Sequence, residues 1–425
     1  MVLVASAVSV ASAVSVVPGY AATQLSTQAS PGHPVAWVGT WAAAQVAPAA
    51  TGLSHTGFKD VTVRDIVRAS AGGSQIRIRL SNVFGAKPLA LSDVRVALRR
   101  SGAQAVAGSS HRVTFGGKDS VMIPVGKREF SDPVKLSVGA GQDLAVSIFV
   151  RAATGPATWH PAALATSYYS TAGDHSGATG AADYPNKIGA WYFLDGVNVV
   201  NPNLAGAVVT FGASTTDGVG STANANERYP DDLARRMLSL PDGERLSVLN
   251  AGISGNQLLY DNGTSGESAL SRFYRDAINQ SGVRAIIIWE GTNDIGDHPG
   301  IGANQLIDAY LPLIQQAHDY GIAVIGATLQ PDEGAGYYTP EGDKVRDTVN
   351  RWIKASGEFD GVVNFDAVLR DPLDPAELMP AYDSGDHLHP NDAGYQAIVD
   401  SINPSLFEQL VINVSRRLRG SRSAG

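Results

Sequence analysis

Cysteine is missing from this chain of 425 residues. Its absence excludes thiol nucleophiles, disulfide frameworks and thiolate metal sites together. The chain also lacks a concentrated basic face. The formal net charge is −8, and the densest basic cluster is Arg416, Arg417, Arg419 and Arg422 near the C-terminus. Nucleic acid is therefore not an expected partner, and residues 413–425 read as a solvated basic tail. No segment after the N-terminus approaches the run of about 18 apolar residues that a membrane helix needs, so stable membrane insertion is not expected.

Charge is absent at the start: no Asp, Glu, Lys or Arg occurs before Lys59. Residues 2–17 are a Val/Ala/Ser run, followed by Pro18, Gly19 and the small residues Ala21 and Ala22. This resembles the apolar region and cleavage site of a signal peptide, although the usual basic residue ahead of the run is missing. Removal of residues 1–22 on export, and hence a secreted protein, is the expectation. Residues 23–35 read as a polar linker.

With 44% apolar residues, the remainder suits globular folding and is long enough for two cores. Residues 36–203 read as a β-rich accessory domain. Ile76, Ile78 and Leu80 alternate with Arg77 and Arg79, and Leu144, Val146 and Ile148 repeat the pattern. Val121–Pro124 and Val134–Val138 are further short strand candidates, and glycine pairs at 72–73 and 116–117 punctuate the segment. A β-sandwich or jelly-roll-like domain is expected.

From about residue 204 the rhythm changes. Strands are predicted at Ala207–Phe211, Leu246–Leu249, Val283–Trp289, Ala323–Leu329 and Val362–Phe365. Helices are predicted near Pro230–Leu238, Ala303–Tyr320, Lys344–Ala355 and Ala393–Ile402. Alternating strands and helices over residues 204–412 imply a parallel sheet covered on both faces, and chemistry is expected just beyond the strand ends.

Four such places carry reactive or polar groups. Ser214, in Gly212-Ala213-Ser214-Thr215, stands at a strand-to-helix turn where its hydroxyl meets the positive end of a helix dipole. Gly255, in Ile253-Ser254-Gly255-Asn256, can aim its N–H outward as an oxyanion donor. Asn293, in Gly291-Thr292-Asn293-Asp294, can donate a second hydrogen bond to the same oxyanion. In Asp386-His387-Leu388-His389, the three-residue spacing lets a carboxylate hold one ring nitrogen of His389 while the other takes a serine proton. A metal site of Asp386, His387 and His389 competes with this reading, but no further cluster completes its shell.

Together the four blocks resemble the SGNH (GDSL-type) hydrolases over residues 204–412. The resemblance implies a flavodoxin-like three-layer α/β/α sheet preceded, as in secreted actinobacterial members, by an N-terminal β module. It implies Ser214 as nucleophile, Asp386 and His389 as its partners, and Ser214, Gly255 and Asn293 as the oxyanion hole. No cofactor and no metal are implied. One departure is evident: the family's Gly-Asp-Ser reads Gly-Ala-Ser, with Ala213 in the acidic position. Asp217, three residues after Ser214, is a candidate for the lost hydrogen bonding.

The expected activity is carboxylic-ester hydrolysis, with acetylated carbohydrate or another small-molecule or polysaccharide ester as substrate. Lipid hydrolysis, acyl transfer, and glycan binding by a protein with a degenerate hydrolase domain remain open, as does the oligomeric state. His160 stands where it can face the site across the domain junction or act structurally. Trp37 and Trp41 fit a sugar-binding cleft or core packing. His298 and Glu290 lie close to Asn293.

Overall fold

The computed structural model describes residues 37–407 and Leu410. The expected signal segment, the linker and the basic tail lie outside the described residues.

The β-rich part has two larger antiparallel sheets that share one apolar core, and a two-stranded one that pairs Trp159–His160 with Trp191–Tyr192. One sheet has the strand order Trp37–Ala42, Leu194–Val200, Ile76–Ser81, Arg128–Phe130. The other is built around Val61–Arg68, Asp143–Val150 and the long strand Leu89–Ser101. Alternation turns Ile76, Ile78 and Leu80 of the first sheet, and Leu144, Val146 and Ile148 of the second, into the same cluster. The predicted strand at 134–138 makes only isolated bridges, Val134 to Ile76 and Val138 to Gly73. Within it the Leu136 N–H donates to the Val134 carbonyl at 2.9 Å, a tight local turn that uses a group a ladder would need.

The second part is a five-stranded sheet, parallel throughout, in the order Arg245–Gly252, Leu204–Gly212, Val283–Trp289, Ala323–Ala327, Gly361–Val363. In chain order this is 2-1-3-4-5, the flavodoxin-like arrangement, with its switch point beside the first strand. Helices Tyr229–Met237 and Asp392–Ser401 pack together, as do Ala303–Asp319 and Pro340–Ala355. The third strand, Val283–Trp289, has Ile286, Ile287, Ile288 and Trp289 all buried, as expected of a strand covered on both faces. The structure adds a helix at Ala269–Phe273, continued by a π-turn over Tyr274–Ile278. Its apolar signal is too short to stand out in sequence. Among the described residues no helix is long and apolar enough to cross a membrane.

The described residues fall in one compact unit. Strand Trp37–Ala42 packs against Arg245–Gly252, with the Gly39 N–H donating to the Ser281 carbonyl at 2.9 Å. Arg79, expected on the open face of a half-buried strand, is instead buried. It pairs with Asp195 at 2.7 Å and donates to Gln280 Oε1 at 3.1 Å, because the parallel-sheet half covers that face.

Candidate active site

The site lies at the carboxyl ends of the first and third strands, on either side of the switch point. Strand Leu204–Gly212 runs directly into a single helical turn, Ser214–Asp217. This starts Ser214 at the first helical position, where its N–H has no intrahelical partner. Close packing of the turn depends on Gly252 in the neighbouring strand: a Cβ there would lie 2.2 Å from the Asp217 nitrogen.

Ser214 Oγ is 2.8 Å from His389 Nε2, and His389 Nδ1 is 2.6 Å from Asp386 Oδ2. The other oxygen, Asp386 Oδ1, accepts from the Leu388 N–H (3.0 Å), the His389 N–H (2.9 Å) and Ser384 Oγ (3.2 Å). Partial burial pushes the Asp386 carboxyl up. The hydrogen bonds from the His389 ring and backbone, with the Leu388 N–H, outweigh this and hold it down at about 2. The carboxylate is therefore ionised at neutral pH and orients the imidazole so that Nε2 faces the hydroxyl.

Asn293 opens the helix Thr292–Asp297 after the third strand. Its Nδ2 donates to the Asn256 carbonyl at 2.7 Å, and its Oδ1 accepts from Tyr337 Oη at 3.2 Å. A carboxamide nitrogen carries two hydrogens, so one remains for a ligand. Gly255 precedes Asn256 in a turn with φ +77°, and a Cβ there would strike Ser265 Oγ at 2.5 Å. Its N–H has no partner among the described residues. Ser214 and Asn293 line one small recess with Glu290, Gln330, Tyr337 and Leu388.

Sequence reasoning missed several residues that hold this arrangement. Arg272 is fully buried and donates to Gly212 O (2.9 Å), Ala251 O (2.8 Å) and Asn256 Oδ1 (2.7 Å), tying the ends of the first two strands together. Nothing in sequence distinguishes such an arginine from the surface ones. Asp294 accepts from the Leu258 and Leu259 N–H groups at 2.6 and 2.9 Å, joining the Asn293 helix to the loop after the second strand. Burial raises its carboxyl to about 6, against those bonds. Tyr337 lies in the loop after the fourth strand, and that position on the rim was its available signal.

The remaining candidates fall elsewhere. His387 turns to Asp383, at 2.9 Å, and does not join Asp386 and His389. His298 Nε2 donates to Gln257 Oε1 at 3.0 Å, and its ring lies against that of Tyr260. Glu290 is fully buried with neither carboxyl oxygen hydrogen-bonded among the described residues; burial raises it well above the ordinary glutamate value. Trp41 packs edge-on against Trp191 in the sandwich core, and Trp37 lies under the Arg77 guanidinium. Among the described residues no group of three or more His, Asp or Glu is arranged to hold a metal ion.

Residues 210–397 match the sequence model of the GDSL-like Lipase/Acylhydrolase family. No curated protein sequence matches the chain. Among solved structures, a GDSL-like lipase from Bacteroides thetaiotaomicron is 20% identical, covering 49% of this chain and 88% of its own, with a TM-score of 0.36. The M. smegmatis aryl esterase is 16% identical over 48% of this chain and 97% of its own, with a TM-score of 0.37. An acetyl xylan esterase is 17% identical over 46% and 96%, with a TM-score of 0.35.

Proposed function

We propose, from the premise that residues 210–397 are a GDSL-like acylhydrolase domain that cleaves ester bonds, that this protein is a serine carboxylic-ester hydrolase with Ser214 as nucleophile. The observation that carries the reading is the unbroken chain Ser214 Oγ, His389 Nε2, His389 Nδ1, Asp386 Oδ2, with links of 2.8 and 2.6 Å.

In this mechanism neutral His389 takes the Ser214 proton at Nε2 as Oγ attacks the ester carbonyl carbon. The carbonyl oxygen becomes the oxyanion and is met by the N–H groups of Ser214 and Gly255 and the free hydrogen of Asn293 Nδ2. Collapse breaks the C–O bond to the alcohol, which leaves with the proton from His389. Water then repeats the sequence on the acyl-serine, releasing the acid and restoring the hydroxyl. The ionised Asp386 stabilises the imidazolium formed at each step.

The recess beside Ser214 is narrow and closed in by Gln330, Tyr337 and Leu388. This supports a short acyl group such as acetyl, with the alcohol, on this reading a carbohydrate, left outside. The apolar N-terminal run supports export, so the reading is of an extracellular enzyme on small or polymeric esters. The test is turnover of p-nitrophenyl esters from acetyl to octanoyl, alongside acetylated glycans and phospholipids. The expected result is activity that falls steeply beyond the shortest acyl chains and is abolished by a fluorophosphonate on Ser214. Preference for long chains, or activity surviving the label, would overturn it.

A further inference from the structure

One buried ion pair joins the β-sandwich to the nucleophile turn. His160 ends the two-residue strand Trp159–His160 and is 2% exposed; Asp217 ends the helical turn that Ser214 begins and is 1% exposed. His160 Nε2 is 3.0 Å from Asp217 Oδ1, and His160 Nδ1 is 2.7 Å from the Ala44 carbonyl. A neutral imidazole has one N–H and would set its remaining lone pair against an oxygen here. Two acceptors call for two donors, so the ring is an imidazolium. Asp217 Oδ2 meanwhile accepts from both the N–H (2.9 Å) and the hydroxyl (2.6 Å) of Ser254.

Ser254 immediately precedes Gly255. Asp217 is thus bonded to the loop that presents one oxyanion donor, while its own backbone belongs to the turn that presents Ser214. Ala213, next to Ser214, has only a methyl group and can brace neither. The ring of His160 is fixed in turn by Trp191, whose ring centroid is 5.3 Å away. The same sandwich segment grips the chain beyond the turn: Arg228 donates to the Ala163 carbonyl at 3.2 Å, and the Thr166 N–H donates to Asn224 at 2.7 Å.

We infer that His160 is a positioning residue supplied by the sandwich: it clamps Asp217, and through Asp217 it fixes the separation between the Ser214 hydroxyl and the Gly255 N–H. Burial alone opposes its charge, but Asp217 and the Ala44 carbonyl prevail and the imidazole is raised above its ordinary value. The sandwich is on this account a structural part of the esterase site, where a separable accessory domain would have no bearing on turnover. The inference rests on Ser214 being the nucleophile.

The test is a double-mutant cycle on the full chain with p-nitrophenyl acetate, using His160→Gln, Asp217→Asn and the double variant, with thermal unfolding measured on each. A lost charge-assisted hydrogen bond corresponds to about 10- to 100-fold. His160→Gln should lower kcat by that factor and leave KM within about twofold, because substrate binding does not use the clamp. The double variant should be no slower than Asp217→Asn by more than about threefold, since both changes break one device. Ser254→Ala, which deletes only a hydroxyl, keeps the test decisive if His160→Gln does not fold: it should lower kcat several-fold with KM unchanged. Wild-type kcat in the folded His160→Gln or Ser254→Ala protein, or full additivity in the cycle, overturns the inference. Wild-type activity in Ser214→Ala would instead overturn the nucleophile assignment beneath it, so the two failures are distinguishable.

Discussion

The loop that carries Asp386 and His389 and the turn that carries Ser214 are built in opposite ways. The loop is self-sufficient and partly exposed. Asp386 accepts from Ser384, Leu388 and His389, while Asp383 accepts from the Gly385 and His387 N–H groups at 2.8 and 3.0 Å. Nearly every bond that shapes it lies within seven residues of chain. The turn is buried and borrowed: its supports are His160, Ser254, Gly252 and Arg272, which come from three other parts of the molecule. A short loop that satisfies its own polar groups tolerates solvent, whereas the Ser214 turn depends on tertiary packing for its shape.

That contrast is sharpened first by Ser214→Ala, expected to cut kcat on the order of 10⁶-fold, by analogy with serine triads in which the nucleophile is lost. Residual activity measured after active-site titration above one part in about 10³ would break the proposed mechanism. Asp386→Asn comes next, at on the order of 10⁴-fold in kcat, because the amide would favour the wrong ring tautomer. The fold should be retained, because the amide oxygen can still accept from the Leu388 and His389 N–H groups. Loss of the native circular dichroism spectrum in this variant would contradict that.

Asn293→Ala should cost about 10²–10³-fold in kcat with KM little altered, as expected for a donor that engages the transition state. Tyr337→Phe removes the bond to Asn293 Oδ1 at 3.2 Å and should cost about 3- to 10-fold, the worth of one neutral hydrogen bond. Steady-state kinetics on one short-chain ester orders all four.

Acid sharpens the comparison differently. Asp386 is held at about 2 against an ordinary value of 3.8. Its folded value is depressed, so the ionised carboxylate's contribution is complete above the ordinary value and is lost as pH falls through the folded one. The His389 Nδ1–H resonance should therefore stay far downfield to about pH 4 and collapse only toward pH 2. A resonance that collapses at pH 4 or above would show that the Asp386 carboxylate is not held in this way.

Much of the parallel-sheet half was legible beforehand. Val283–Trp289 was read to the residue because a doubly covered strand is a continuous apolar run. The Asp386–His389 spacing was equally readable, since its geometry is local. Arg272, Asp294 and Tyr337 were not, because a charged or phenolic side chain carries no mark in sequence of the carbonyl or amide it will meet. The 134–138 segment shows the same limit in miniature: its alternating valines fit a strand, but a local turn bond took the place of a ladder.

By itself the sequence determined the reactive inventory and its order along the chain: a serine after the first strand, an asparagine after the third, and a carboxylate three residues before a histidine. These follow from short-range chemistry and strand periodicity, which any segment expresses alone. Only the tertiary structure decided that Asp217 would be shared between His160 and Ser254, and that a strand of the β-rich part would reach the Ser214 turn. Those contacts span 57 and 37 residues. Burial makes two opposite charges stable only when they meet, and where they meet is set by packing.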